Sequence, residues 1–292
     1  MDKSTVYQAV NNGYSSIAFE AYKGSNPSQT SKSANIAALF GYSAQDLATL
    51  PAGTNLGLSC GNPLATANLQ PSETMLDLGS GGGLDCLIAA NRILKADPTP
   101  KGKIYGVDRS TKMIELARRN AVKADLPKGL VEFVEAPISR ISLPDASIDL
   151  VVSNCVINLV PDEDKPRVFK EIYRLLKPGG RVAISDLLAL KPMPDHVRKD
   201  AALLVGCVAG ASLVDEYRRW MVDAGFEESG IAFVNTNKDL NVYHSQDAEV
   251  SCCGSASKAS SKAAVADRGN AEELDFNTWV AAYQIYAVKG TS

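Results

Sequence analysis

The run Asp77-Leu78-Gly79-Ser80-Gly81-Gly82-Gly83 is composed to bring backbone close to a ligand. Glycine reaches conformations closed to other residues, and a glycine-rich turn from strand to helix offers unpaired N–H groups. A dinucleotide turn, G-x-G-x-x-G, would place its third glycine at position 84 counting from Gly79, and that residue is Leu84. The run reads instead D-x-G-x-G-x-G. The second chemistry-bearing set is six cysteines, Cys60, Cys86, Cys155, Cys207, Cys252 and Cys253. Their thiolates are soft ligands and nucleophiles. The two histidines, His196 and His244, stand in unrelated contexts and make no zinc motif.

These residues must be held by a core of ordinary size. The chain has 292 residues, 45% hydrophobic and 22% charged, which is average for a soluble globular protein. A net charge of -3 leaves no basic footprint for nucleic acid, so a small-molecule substrate is expected. No basic-then-apolar leader opens the sequence, and the longest apolar run, 201–214, is too short to span a bilayer. A cytoplasmic monomer without a membrane partner is the expectation, and in that reducing compartment the cysteines are expected as free thiols rather than a disulfide framework.

From Thr74 onward strands and helices alternate. Apolar strands are predicted at 74–78, 103–107, 131–134, 148–153 and 181–185, with helices after the first, second and fourth. Ser110 caps the second helix, and the third runs from the acidic cluster Asp162-Glu163-Asp164 to the Lys177-Pro178-Gly179-Gly180 turn. This alternation predicts an α/β fold, a Rossmann-like, doubly wound, mostly parallel sheet with a smaller C-terminal substrate-binding region. Before it, residues 1–35 read as polar and mixed, with a loop at 23–28, and Ser43 to Leu50 reads as a short helix stopped by Pro51. After it come two helices, 194–208 and 214–224, then a Ser, Ala and Lys-rich loop at 245–270 and a strand within 276–288. The expected division is an N-terminal segment 1–40, a ligand-binding domain 41–190 and a C-terminal region 191–292.

The D-x-G-x-G-x-G spacing resembles the first motif of class I methyltransferases. The resemblance implies that Asp77, Gly79, Ser80, Gly81 and Gly83 accommodate the amino-acid part of S-adenosyl-L-methionine, and that Asp108 accepts hydrogen bonds from its ribose hydroxyls. Arg109 and Met113 follow at the same edge and are counted with the donor-binding set. Pro137 and Ile138 stand where members of that family place an acidic residue and its neighbour beside the adenine, so Pro137 departs from the pattern. Asn154, ending the fourth strand, would line the donor pocket.

Cys155 falls at the C-terminal edge of the predicted sheet, where ligands of such folds collect, and Cys60 and Cys207 lie in segments able to cover that edge. Three thiols beside a methyl donor suit a thiophilic acceptor such as trivalent arsenic, whose lone pair needs no general base. Here the sequence resembles the arsenite methyltransferases, most specifically at Gly41-Tyr42-Ser43, Asn55-Leu56-Gly57, Asp85-Cys86 and Ser153-Asn154-Cys155-Val156-Ile157-Asn158-Leu159. The resemblance maps the arsenic ligands onto Cys60, Cys155 and Cys207, and implies glutathione or thioredoxin as reductant. Many members carry a further cysteine nearer the N-terminus for a disulfide relay, and this chain has none before Cys60. Cys86 could substitute or simply pack in the core. Cys252 and Cys253 resemble tail cysteines that deliver arsenite, or belong to a tail without essential function. Two other readings stay open at this point, methylation of an organic thiol, quinone or natural product, and arsenic binding without catalysis.

Overall fold

The computed structural model describes residues 1–23, 27–243 and 275–291. In chain order the elements are α1 (Lys3–Lys23), α2 (Pro27–Leu39), α3 (Ala44–Ala48), α4 (Leu64–Ala67), β1 (Met75–Leu78), α5 (Leu84–Ala96), β2 (Ile104–Asp108), α6 (Thr111–Lys123), β3 (Val131–Glu135), β4 (Ile148–Asn154), α7 (Lys165–Leu175), β5 (Leu176–Ala189), α8 (Asp195–Arg198), α9 (Ala201–Val205), α10 (Val214–Ala224), β6 (Ala232–Asn235) and β7 (Val280–Val288). Seven strands form one sheet in the order β3-β2-β1-β4-β5-β7-β6. The first five are parallel, and β7 and β6 close the edge antiparallel.

The central strands are apolar because both faces are covered. Leu150, Val151 and Val152 of β4 are fully buried, and burying each such side chain contributes roughly 1.5–3 kcal/mol. β1 and β4 are neighbours, yet their following segments leave toward different helices, α5 and α7. The chain direction therefore diverges there, and the crevice beyond the strand ends is where such sheets bind ligands.

Two expectations are corrected. The segment 1–35 is largely helical, as α1 and most of α2. Val6, Val10, Tyr14 and Ile17 recur at helical spacing on α1 and pack inward. Only one apolar residue per turn marks that stripe, too thin a signal to stand out among polar neighbours. The single helix expected over 194–208 is two short ones, because the Asp200 carboxylate accepts from the Ala202 and Leu203 N–H groups and starts α9 anew. α1 crosses the molecule from α6 to α9, and a Cβ at Gly13 would lie 2.9 Å from Val205 of α9. Among the described residues no helix is long and apolar enough to cross a membrane. The 245–270 loop, with Cys252 and Cys253, lies outside the described residues, as does His244.

Candidate active site

β1 ends at Leu78, and the glycine loop turns over its tip. The Gly79 and Ser80 N–H groups both donate to the Val107 carbonyl at the end of β2, at 2.7 and 2.9 Å. Gly79, Gly81 and Gly83 have φ of +69°, +50° and +90°, a region that favours glycine. A Cβ on Gly79 would fall 2.3 Å from Val156, whereas one on Gly81 would meet nothing within 4 Å and would project into the open cleft. Gly83 instead serves packing, since its Cβ would press on Phe133 at 3.0 Å.

Asp108 faces the loop. Its carboxylate accepts from the Gly81 N–H at 3.0 Å and the Ser110 N–H at 2.8 Å, which leaves further lone pairs toward the cleft. The cleft has two adjoining parts of about 670 and 540 Å³ of empty space, open mouths included. The first is lined by Gly79, Asp108, Arg109, Pro137 and Ile138, and roofed by Tyr7, Val10, Asn11 and Tyr14 of α1. The second holds Asp77, Gly79, Ser80, Gly81, Asp85, Asn154 and Cys155. Met113 does not reach the cleft. It is fully buried with Leu116 and Ala18 beneath α1.

This chemistry suits S-adenosylmethionine. The Ser80 hydroxyl is buried and has no hydrogen-bond partner among the described residues, and the space over Gly81 is open. Burial, with Asp85 close by, holds the Asp77 carboxyl well above the usual carboxylate range, and burial pushes Asp85 up to about 6. A cation in that part of the cleft would relieve both. Asp108, whose carboxylate could accept from a diol, lies at one end and buried acids at the other, an arrangement that would fit a ribose and a cationic amino-acid moiety.

The three cysteines named from the sequence lie in one buried region at the strand ends beside Asn154, although among the described residues it is the Cys60 and Cys155 sulfurs with Asp186, and not Cys207, that lie mutually within 4.8 Å. Cys60, Cys155 and Cys207 are 2%, 6% and 4% exposed and share one core cluster. Cys155 follows β4, and its N–H donates to the Ser185 carbonyl of β5 at 2.8 Å. The Cys207 thiol donates to the Cys155 carbonyl at 2.9 Å. Cys155 and Cys207 have φ of +57° and +64°, conformations uncommon outside glycine that concentrate at functional sites. Two close approaches make the gathering sterically feasible. A Cβ on Gly61 would lie 2.5 Å from Ser185, and one on Gly210 would lie 1.9 Å from the Asn158 carbonyl oxygen.

Cys60 and Cys155 are joined by a disulfide, with Cα atoms 5.9 Å apart. The expectation of free thiols is corrected for this pair. Their segments are 95 residues apart in sequence, and only the fold brings them within disulfide reach. Cys86 stands elsewhere, fully buried in the core cluster of α5, with its thiol 3.3 Å from Asp77. Burial and the Asp77 charge push that thiol up, so Cys86 stays protonated.

Other groups in the site are not evident in the sequence. Asp186, in β5 just beyond its last pairing with β4 at Ser185, has a carboxylate oxygen within 4.8 Å of the Cys60 and Cys155 sulfurs. It accepts from the Tyr217 hydroxyl, the Asn158 amide and the Leu187 N–H at 2.7, 2.8 and 3.0 Å, while burial pushes it up to about 6. Lys165 is fully buried, and its ammonium donates to Asp162, the Gly210 carbonyl and Ser212, which fixes the turn beyond Cys207. An acid at the C-terminal end of a parallel strand is the signal that could have found Asp186.

Residues 69–225 match the family described as "Methyltransferase domain". The chain belongs to this methyltransferase-domain family. It is 48% identical over 192 residues to an arsenite methyltransferase of Halobacterium salinarum, covering 66% of this chain and 47% of that protein. It is 35% identical over 144 residues to the arsenite methyltransferase of Homo sapiens, covering 47% and 36%. The chain thus spans about half or less of the length of the curated relatives it matches. Its fold is similar to the crystal structure of an arsenic(III) S-adenosylmethionine methyltransferase from Chlamydomonas reinhardtii, at a TM-score of 0.54 and 28% identity, covering 87% of this chain and 72% of that one.

Proposed function

We propose that this protein transfers a methyl group from S-adenosylmethionine to trivalent arsenic held by Cys60, Cys155 and Cys207. The observation that carries the reading is the convergence of these three sulfur residues at the ends of β4 and β5, with Cys155 itself lining the glycine-loop cleft. When bound, the donor supplies an electrophilic methyl on a positive sulfur. The glycine loop and Asp108 hold and orient it, and α1 shields it from water.

The acceptor half needs three thiolates in a pyramid, which leaves the arsenic lone pair unshared. That lone pair forms the new arsenic–carbon bond as the donor's sulfur–methyl bond breaks; S-adenosylhomocysteine would leave with that bonding pair, and no protein group has to remove a proton. The Cys60–Cys155 disulfide cannot ligate arsenic. Two equivalents of glutathione, or one reduced thioredoxin, open it to two thiols and leave as the corresponding disulfide. Such reductants belong to the cytoplasm, the compartment this reading requires.

The test is incubation of purified, reduced protein with arsenite, glutathione and methyl-labelled donor, followed by separation of arsenicals. Labelled methylarsenicals are expected. Folded, donor-bound protein that yields none would overturn the proposal.

A further inference from the structure

A directional chain of buried and half-buried hydrogen bonds runs from the glycine-loop cleft to the backbone at Cys60. The Tyr42 hydroxyl donates to Asp85 at 2.7 Å. Its oxygen accepts from the Asn154 amide nitrogen at 2.8 Å, and that nitrogen also donates to the Gly61 carbonyl at 2.8 Å. The Asn154 carbonyl oxygen in turn accepts from the Cys60 N–H at 3.2 Å. Asp85 and Asn154 both line the cleft, whereas Tyr42 is buried away from solvent among α2, α4 and α5 residues.

The polarity of this chain is fixed at one end. An ionised Asp85 can only accept, so Tyr42 must point its proton there and present a lone pair to Asn154. Asn154 must then turn its NH2 toward Tyr42 and Gly61, and its oxygen toward the Cys60 N–H. Flipping the amide would set two donors against Cys60 and two acceptors against Gly61. Loss of the Tyr42 hydroxyl would leave Asp85 and one Asn154 N–H unmatched and cut the link between them, while Cys60 and Gly61 still hold the amide's orientation.

We propose that Tyr42 is a positioning residue that couples occupation of the donor cleft, sensed at Asp85, to the placement of the Cys60 segment through Asn154. This rests on the methyltransferase reading, and it identifies how the donor half communicates with the acceptor half. Neither Tyr42 nor the Asp85 contact touches a sulfur. Their effect passes through the two backbone groups that flank the Cys60 side chain.

The experiment measures the alkylation rate of Cys60 in reduced protein by peptide mass spectrometry, with and without saturating S-adenosylhomocysteine. In the wild type the product analogue should change that rate by about fivefold or more, a coupling of ordinary size. In Tyr42→Phe, which keeps the ring, the change should shrink below about twofold, while affinity for the analogue by calorimetry stays within about threefold. Asp85→Asn, which keeps an acceptor but removes the charge, should also lose the coupling. A wild-type rate indifferent to the analogue, or a Tyr42→Phe protein that retains the full response, would overturn the proposal. Because alkylation needs no arsenic, failure to methylate arsenite with coupling intact would sink the acceptor assignment and leave the Tyr42 role standing.

Discussion

The Cys207 thiol donates to the main-chain carbonyl of Cys155, so two residues 52 positions apart touch through a sulfur of one and the backbone of the other. Both occupy the left-handed region. The contact holds the Cys207 sulfur against the Cys155 backbone even while Cys155 is tied to Cys60. Replacing Cys207 or Cys155 by serine should weaken binding of arsenite, which takes three thiolates, to the reduced protein by at least about tenfold, the loss of one ligand bond from a chelate. Cys86→Ala should change it less than about twofold, because Cys86 lies in a separate core cluster. Quenching of tryptophan fluorescence on titration distinguishes these outcomes.

The glycine loop gives a paired test. Gly79→Ala drives a methyl against Val156 and should both destabilise the protein and remove donor binding. Gly81→Ala meets no protein atom, so its cost to stability should be about 1–2 kcal/mol of backbone strain. Its methyl nevertheless projects into the cleft, and calorimetry with S-adenosylhomocysteine should still show donor affinity largely lost.

Stability should depend on pH through Asp186. Burial raises its native pKa to about 6 from 3.8, so between those values the native state binds the proton that the unfolded state has released. Stability from this group is therefore full below about pH 3.8 and is lost as pH rises through about 6. Relative to Asp186→Asn, the wild type should gain roughly 2 kcal/mol on going from pH 7 to pH 4.5. Urea unfolding of both proteins at the two pH values measures the difference, and parallel behaviour would refute it.

Legibility followed the range of the interactions. β1, the glycine loop and β4 could be read directly, because continuous apolar strands and a turn spacing are properties of neighbouring residues. The gathering of Cys60, Cys155 and Cys207 was expected from resemblance, but the Cys60–Cys155 bond was not, because it depends on a distance that only the folded sheet sets. Tyr42 and Asp85 carry ordinary helix-edge chemistry in the sequence. Their contact arises because α5 packs beside the turn after α2. The covering role of α1 was missed for a related reason, since its Tyr7 and Asn11 look like solvent-facing residues until Arg109 and Asp108 are opposite them.

That cover is held at one corner. The Tyr7 hydroxyl donates to Asp164 at 2.9 Å, Lys3 pairs with the same carboxylate, and the Arg109 guanidinium lies 3.8 Å over the Tyr7 ring. Tyr7→Phe keeps the ring and removes a hydrogen bond worth about 1 kcal/mol. Dissociation of S-adenosylhomocysteine should quicken by about fivefold in stopped-flow measurements, with little change in Cys60 alkylation without ligand.

The three sulfur residues are carried on three separate connections, and the glycine loop on a fourth. The Asn154-Cys155 step belongs to both halves, and so does the Cys60 connection, whose Leu56, Leu58 and Ser59 line the donor part of the cleft. A lineage could therefore exchange the Cys207 connection and acquire a different acceptor while inheriting the donor half unaltered. Descent with such replacement would leave Asn154 as the shared hinge of heredity, the position where a change in one substrate preference is felt by the other.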